Sequence, residues 1–137
     1  MNALRTLFAT AGGVGSGSAM KMVLVVRSDL GLKKGKIASQ CAHAAVLCCM
    51  RALAVEGSSR KKLDAWLMQG QPKIVLRVDS LQEMTSLAGR AETIGIIAEI
   101  VRDAGRTQVA SGTETVLGLG PDSSEAIDSL VRNLKLL

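Results

Sequence analysis

The sequence predicts an α/β domain with a largely parallel sheet. Segments with strand character alternate along the chain with segments whose apolar residues recur at helical spacing. The apolar run at residues 22–26 is uninterrupted, as is typical of a strand covered on both faces. A hydrophobic fraction of 47% over 137 residues is enough for one domain with a sizeable core, and an aromatic fraction of 1% predicts a core of aliphatic side chains.

The first half of the chain predicts two strands and two helices. The first strand is expected at residues 21–27. A long helix begins near Lys36 and ends before Gly57, because apolar residues recur at helical spacing between them. A second helix is expected at residues 60–69, and a second strand follows it at residues 73–78.

The second half of the chain predicts two more helices and two more strands. Residues 80–83 have the capping-box pattern, so a third helix is expected to begin there. The same pattern at residues 122–125 predicts a last helix that ends near residue 134. Strands are expected between these helices at residues 96–102 and 113–119. The connection between those two strands contains no predicted helix, which favours an antiparallel pair and therefore a mixed sheet.

Charge and composition narrow the classes of partner and cofactor. The formal net charge is +5 and the pI is about 9.5, and a basic domain suits a polyanionic partner. Three cysteines without a C-x-x-C spacing and a single histidine predict neither a disulfide framework nor a metal site, and we expect no cofactor. No apolar run approaches the roughly 18 residues that span a bilayer, so no membrane partner is expected.

Residues 1–20 differ in composition from the rest of the chain, and we expect a single domain at residues 21–137. The first segment contains Arg5, many small residues and no acidic residue. Three interpretations stay open for it: a mitochondrial transit peptide, a flexible leader, and a cloning remnant around residues 15–18. One arginine is few for a transit peptide, and unpaired cysteines fit a reducing compartment, so we expect a cytoplasmic protein.

Two groups of polar residues directly follow predicted strands. The group after the third strand comprises Asp103, Arg106, Thr107 and Gln108. The group after the first strand comprises Lys33, Lys34 and Lys36. Because ligand sites in open α/β sheets tend to form outside the carboxyl ends of strands, the two groups predict one site that is basic on one side and acidic on the other.

The first predicted helix carries a polar face. Lys36, Gln40 and His43 are spaced four and three residues apart, so they share one side of the helix. Such a stripe at a helix N-terminus suits a bound anion, and the alternative is a solvated face with a partly buried histidine. Cys41 lies two residues from His43, about 200 degrees around the helix, so the two cannot form a nucleophile–base dyad.

The loop after the third strand has two interpretations. An Asp103 carboxylate held ionised by Arg106 is suited to catalysis, whereas the same residues also occur in structural turns. Likewise, Thr107 and Thr115 either supply hydroxyls to a site or stabilise strand pairing.

Taken together, these motifs resemble the type 2 peptidyl-tRNA hydrolases of archaea and eukaryotes. The resemblance covers residues 21–137. The motifs that carry it are KMVLVVRSDL at 21–30, KGKIASQCAHAA at 34–45, GQPK at 70–73, DAGRTQ at 103–108, TVLGLGP at 115–121 and LKLL at 134–137. One departure is Gly31-Leu32-Lys33, where family members often have Lys-Met-Gly; it leaves the following Gly35-Lys36 intact.

The resemblance implies a fold and an activity. The fold is a three-layer α/β/α sandwich around a mixed, mostly parallel four-stranded sheet. The activity is hydrolysis, without a metal, of the ester that joins a peptide to the terminal ribose of tRNA, by an enzyme that is commonly a homodimer. The residues that match the family's catalytic positions are Lys36, Asp103, Thr107 and Thr115. Those that match nearby positions, which we expect to bind substrate, are Gln40, His43 and Gln108.

The acceptor arm of tRNA is the expected partner, and exposed cations are its expected contacts. These cations are Lys33, Lys34, Arg106 and the basic run at residues 60–62. The scarcity of aromatic residues excludes a sheet platform that stacks bases, so recognition is expected through backbone and shape. The alternative function is a non-enzymatic RNA-binding module of the same fold. It explains the charge of the chain but not the grouping of Asp103 and the threonines with Lys36.

Overall fold

The computed structural model of the protein describes residues 17–54, 56–105 and 109–137. In these residues a mixed five-stranded sheet carries four α-helices. The strands are β1 (Met20–Arg27), β2 (Lys73–Val78), β3 (Ala98–Arg102), β4 (Glu114–Ser123) and β5 (Lys135–Leu136). The helices are α1 (Lys34–Ala54), α2 (Ser58–Met68), α3 (Leu81–Thr93) and α4 (Ser124–Val131). The strand order is β3-β4-β1-β2-β5.

The α/β class and the mixed sheet are confirmed, but the prediction of four mostly parallel strands is wrong. Only β1 and β2 are parallel, while β1–β4, β3–β4 and β2–β5 are antiparallel. The reason is the position of β4, which follows β3 without a helical crossover and inserts between β3 and β1. A strand that runs against both neighbours makes the centre of the sheet antiparallel. The fifth strand is a two-residue segment that no periodicity marks.

Alternation along β1 directs side chains into two separate cores. Met22, Leu24 and Val26 pack with residues of α1 and α2, whereas Val23 and Val25 pack with residues of α3 and α4. Helices therefore cover both faces of the sheet, which explains why the sequence of β1 is apolar at every central position.

Helix α1 lies unusually close to the middle of β4. A Cβ added to Gly118 would lie 2.7 Å from Cys48 Sγ and 3.1 Å from the carbonyl oxygen of Ala44. Both helix residues are fully buried. Small side chains on α1 and a glycine on β4 therefore set the depth at which the polar N-terminal turns of α1 meet the sheet.

The predicted start of α3 is confirmed, and α4 begins one residue later than the pattern at residues 122–125 predicts, with Ser123 rather than Asp122 at its N-cap. Ser80 accepts a hydrogen bond from the backbone N–H of Glu83 at 3.1 Å, and Ser123 accepts one from Ala126 at 3.2 Å. The reciprocal bond differs from the expected one, because the Glu83 carboxylate accepts from the N–H of Asp79 and not from that of Ser80.

By length and composition alone, α1 could cross a bilayer, contrary to our expectation that no segment has that character. Core helices have the same length and composition, so this property by itself does not indicate a membrane protein. Five residues of α1 are buried in the fold: Gln40, Cys41, Ala44, Cys48 and Ala52. Most of the N-terminal segment that we separated from the domain, residues 1–16, lies outside the described residues.

Candidate active site

An ion pair joins α1 to the loop that follows β3. Lys36 lies in the first turn of α1, and its ammonium donates to Oδ1 of Asp103, the first residue after β3. The side chain of Asp103 is 2% exposed and that of Lys36 is 16% exposed. The structure thus brings together the two residues that the sequence assigned to opposite sides of one site.

The backbone around Asp103 fixes the carboxylate. Its Oδ2 accepts the N–H of Gly105 at 2.6 Å. Its own N–H donates to the carbonyl of Thr113 at 2.9 Å, and its carbonyl accepts from Gly112 at 2.7 Å. The two sides of the connection between β3 and β4 are therefore tied together at Asp103, so the carboxylate has a defined direction before any substrate arrives.

Gly105 is required by both backbone conformation and space. Its φ is +80°, a left-handed value that favours glycine. A Cβ at this position would lie 2.7 to 2.9 Å from the Cβ, Cα and N of Ser111 across the loop. Any side chain here would displace the N–H that holds Asp103.

A buried chain of hydrogen bonds supports the carboxylate from behind. The amide nitrogen of Gln40 donates to Oγ1 of Thr115 at 2.8 Å and, at 3.5 Å, to Oδ1 of Asp103. Thr115 in turn donates to the carbonyl of Val101 at 3.4 Å. Gln40 is 3% exposed and Thr115 is fully buried, so neither presents a surface to a macromolecule.

These contacts determine the ionisation of Asp103. The hydrogen bond from Lys36 and the one from the Gly105 N–H lower the pKa of Asp103 below its ordinary value of 3.8, against the opposing effect of burial. The group is therefore a carboxylate at neutral pH. Because its pKa is low, it is a weak proton acceptor and a strong anchor for the ammonium of Lys36.

The remaining predicted residues lie at different distances from this pair. Lys34 is exposed at the start of α1, and Lys33 is exposed just before it. His43 is exposed one turn beyond Gln40, with its Nε2 at 3.5 Å from Ser39 Oγ. The other three lie outside the described residues: Arg106, Thr107 and Gln108.

The basic run at residues 60–62 is not near the ion pair. Lys62 donates to the buried carboxylate of Asp122 at 2.8 Å, and Arg60 lies 3.6 Å from Asp64. Asp122 is seven residues along β4 from Thr115, a separation of roughly 20 Å. Lys62 therefore forms an ion pair at the other end of the sheet from Lys36 and Asp103, and its expected contact with tRNA stays a prediction.

Burial disfavours the thiolate forms of the cysteines. It raises the pKa of Cys41 and Cys49, and it raises that of Cys48 to about 12. A thiol with a raised pKa is a poor nucleophile, so these residues act as small apolar side chains. Within the part of the chain that the structure describes, no three His, Cys, Asp or Glu side chains are grouped as a metal site.

Sequence reasoning missed Arg27, the last residue of β1. Its guanidinium makes a bidentate pair with Asp29, at 3.1 and 2.7 Å, and also donates to the carbonyl of Glu114 at 3.0 Å. It thereby fixes the start of β4 beside Thr115. The Arg-x-Asp spacing at the end of the predicted strand was the available signal. Cavity volume does not identify the site, because a cavity of about 430 Å³ is lined by α3 and Leu134 and by neither residue of the Lys36–Asp103 pair.

Comparison with known proteins shows the family to which the chain belongs. The family described as peptidyl-tRNA hydrolase PTH2 matches residues 20–137. A peptidyl-tRNA hydrolase of Saccharolobus solfataricus is 48% identical over 86% of this chain and 99% of its own length. Those of Metallosphaera sedula and Thermoplasma acidophilum are each 46% identical, over 86% and 85% of this chain and 100% and 97% of their own lengths. The chain belongs to the type 2 peptidyl-tRNA hydrolase family.

Proposed function

We propose that this protein hydrolyses the ester between peptide and tRNA, with the Lys36–Asp103 pair at the reacting centre. Relatives that match nearly their whole length to this chain are named peptidyl-tRNA hydrolases. One observation carries the assignment of the reacting centre. The buried carboxylate of Asp103 binds the partly exposed ammonium of Lys36, and the buried Gln40–Thr115 hydrogen bond lies behind it. Free tRNA and free peptide are the products.

Lys36 stabilises the charge that develops on the ester carbonyl. An ammonium has several N–H donors, of which one is directed to Asp103. The others are available to an oxyanion, and the partial exposure of the side chain leaves room for substrate. Preorganised donors of this kind typically contribute about 100- to 1,000-fold to turnover.

Asp103 orients both Lys36 and the attacking water. A carboxylate oxygen accepts more than one hydrogen bond, so Oδ2 retains an acceptor position beside the N–H of Gly105. Its lowered pKa argues against full proton abstraction by Asp103 and favours alignment of the water. Thr107 is proposed to complete the site by binding this water or the ribose.

Gln40 and Thr115 are positioning residues in this proposal. Both are buried, and the bond between them directs the Gln40 amide towards Asp103. Removal of either leaves a buried polar atom without a partner, which is costly and releases the carboxylate from its fixed direction.

The acceptor arm of tRNA is held by cations around the start of α1. Lys33 and Lys34 are exposed there, and Arg106 and Gln108 follow Asp103 in the chain. The net charge of +5 attracts the phosphate backbone, and contacts of this kind do not discriminate between tRNA species.

The direct test is hydrolysis of an N-acetylated aminoacyl-tRNA, with free aminoacyl-tRNA as the control substrate. We expect release of the acetylated amino acid by the wild-type protein and loss of release in Lys36→Ala. Tight binding of the substrate by the wild-type protein without any hydrolysis would establish the alternative, a non-enzymatic RNA-binding module.

Two broader properties are also proposed. The family resemblance implies a homodimer, the unpaired cysteines favour the cytoplasm, and exposed Met50 and Leu53 on α1 offer an apolar surface for a second copy. Light scattering during size exclusion measures the mass of the wild-type protein, and Met50→Lys with Leu53→Lys tests the surface. A monomeric wild-type protein would contradict the dimer, and localisation of the tagged full chain tests the compartment.

A further inference from the structure

An open cavity lies at the edge of the sheet, and its lining includes Arg102, the chain neighbour of Asp103. It has a volume of about 330 Å³ and is lined by His43, Val46, Leu47, Val101 and Arg102. The first three belong to α1 and the last two to β3, which is one of the two edge strands of the sheet. This volume lies within the range of sites that take small organic groups.

The cavity is adjacent to the reacting centre through both elements. His43 lies three residues beyond Gln40, about one helical turn or 5 Å along α1. Arg102 immediately precedes Asp103, and the carbonyl of Val101 accepts the bond from Thr115. The cavity is therefore next to the proposed reacting centre along both α1 and β3. In peptidyl-tRNA two groups flank the scissile ester: the terminal adenine and the last amino-acid side chain.

The lining suits a flat heteroaromatic base. His43 is the only histidine in the chain, and its ring is exposed, whereas the ring of Trp66 is 1% exposed. Val46, Leu47 and Val101 supply an aliphatic surface. The guanidinium of Arg102 lies 3.7 Å from Glu114, yet its side chain is 62% exposed and accessible to a phosphate. Imidazole and guanidinium planes are both established stacking partners for unpaired bases.

We propose that this cavity binds the terminal adenine of the tRNA and that His43 stacks on it. The inference rests on the proposed function and names the part of the substrate that the cavity takes. Every tRNA ends in the same adenosine, while the last residue of the peptide varies. A cavity that presents the His43 ring and the Arg102 cation in fixed positions is suited to a group that is the same in every substrate, which is the terminal adenine. The scarcity of aromatic residues excludes a sheet surface that stacks several bases, but it does not exclude one stacking contact from His43 on α1.

Variants of His43 separate stacking from other roles. His43→Ala is expected to raise KM for N-acetylated aminoacyl-tRNA about tenfold, a typical effect of removing one stacking partner, with kcat nearly unchanged. His43→Phe keeps a planar ring and is expected to retain a KM within about twofold of wild type. The matched control is Gln82→Ala, at an exposed helix position of α3 on the other face of the sheet. An unchanged KM in His43→Ala would overturn the proposal.

A modified substrate identifies the group that occupies the cavity. A substrate whose terminal adenine is replaced by hydrogen keeps the ribose and the ester. Its KM is expected to rise about tenfold with the wild-type protein and to show no further rise with His43→Ala. An equal penalty in both proteins would place the adenine elsewhere. A dependence on the last amino acid that disappears in His43→Ala would assign the cavity to the peptide and would also overturn the proposal.

A binding measurement separates failure of this inference from failure of the proposed activity. Because the chain has one histidine, the ring resonances of His43 are assigned without ambiguity in NMR spectra. Adenosine monophosphate is expected to shift them more than cytidine monophosphate at equal concentration, whether or not the protein hydrolyses any ester. Equal shifts, or none, would contradict an adenine site even in an active enzyme.

Discussion

Two buried aspartates near opposite ends of β4, Asp103 in the loop before it and Asp122 within it, are each paired with a helical lysine, but the surroundings of the two pairs differ. Asp103 pairs with Lys36 and accepts the Gly105 N–H, and Asp122 pairs with Lys62 and accepts the Ser123 N–H. Asp103 is 4% exposed and Asp122 is 5% exposed. By burial and pairing alone the two are almost indistinguishable.

The surroundings of the Lys36–Asp103 pair differ from those of the Lys62–Asp122 pair. Asp103 also receives the amide of Gln40, and its neighbour Arg102 lines an open cavity. Asp122 lies where β4 meets the start of α4, and its pair joins that corner to α2. A buried Lys–Asp pair is therefore not sufficient to indicate catalysis. A connected polar chain and adjacent space for substrate are the additional features.

The largest expected difference in kcat is between the alanine variants of the two paired lysines. Lys36→Ala is expected to lower kcat about 100- to 1,000-fold, because the donor to the oxyanion is lost. Lys62→Ala is expected to leave kcat within about twofold and to lower the thermal midpoint, since it leaves the buried Asp122 unpaired. Single-turnover hydrolysis and thermal unfolding by circular dichroism measure the two effects.

Stability is the control for this comparison. Lys36→Ala also leaves a buried carboxylate, so its thermal midpoint is measured as well, and the kcat comparison uses temperatures at which both variants are folded. Equal losses of kcat in the two folded variants would remove the distinction between a catalytic and a structural pair.

A second comparison uses two glycines with the same backbone conformation. Gly105 and Gly95 both have a φ of +80°, but a Cβ meets Ser111 at Gly105 and open space at Gly95. Alanine is expected to cost similar left-handed strain at both, about 1 kcal/mol. Only Gly105→Ala is expected to lower kcat, by about tenfold or more, because it displaces the N–H that holds Asp103. Steady-state kinetics on the two variants decide between strain alone and loss of positioning.

The pH dependence of stability tests the low pKa of Asp103. Its folded-state pKa lies below the ordinary value of 3.8, so ionised Asp103 stabilises the fold at every pH above that value. This contribution is lost as the pH falls through the lowered folded-state pKa. The difference in unfolding free energy between wild type and Asp103→Asn, measured by urea denaturation, is therefore expected to be constant from pH 5 to 8 and to shrink only below pH 4.

The same property predicts the acid side of the activity profile. Asp103 remains ionised across pH 5 to 8, so its protonation is not expected to reduce kcat in that range. A loss of kcat near pH 6 that disappears in Asp103→Asn, measured on the residual activity, would show that the carboxylate titrates there and that its pKa is not lowered.

The smallest expected effects come from exposed lysines at the two ends of the molecule. Lys34→Glu, beside the reacting centre, is expected to raise KM several-fold with little change in kcat, and the effect should weaken at high salt. Lys61→Glu, exposed near Lys62, is expected to change KM by less than about twofold. Kinetics at two salt concentrations measure both. A larger effect at Lys61 would place the tRNA on the opposite end of the sheet.

Much of the secondary structure was predictable because it depends on local chemistry. The bounds of β2 match the prediction, and those of β1 differ by one residue, since an uninterrupted apolar run between turn residues admits few alternatives. The start of α3 followed from the side chain of Ser80, which bonds within the same turn. The placement of Asp103 and Lys36 at strand ends required only the order of the elements.

The strand directions and the buried hydrogen bond between Gln40 and Thr115 could not be predicted from local sequence patterns. The insertion of β4 between β3 and β1, which makes the sheet mostly antiparallel, depends on which strands share hydrogen bonds across long stretches of sequence. Likewise, Gln40 was expected to bind substrate because it matches a position near the family's catalytic residues. The structure instead buries it against Thr115, 75 positions away in the chain.

The sequence by itself determined the four helices and four of the five strands, the family, and the two groups of charges that meet, because each is encoded in local patterns of residue types. Only the tertiary structure decided that Arg102, the neighbour of Asp103, lines an open cavity while the Lys62–Asp122 pair joins β4 to α2. In the sequence, both pairs consist of one lysine and one aspartate. Their burial, their neighbours and the space beside them arise from contacts between distant segments, and those contacts exist only once the sheet has assembled.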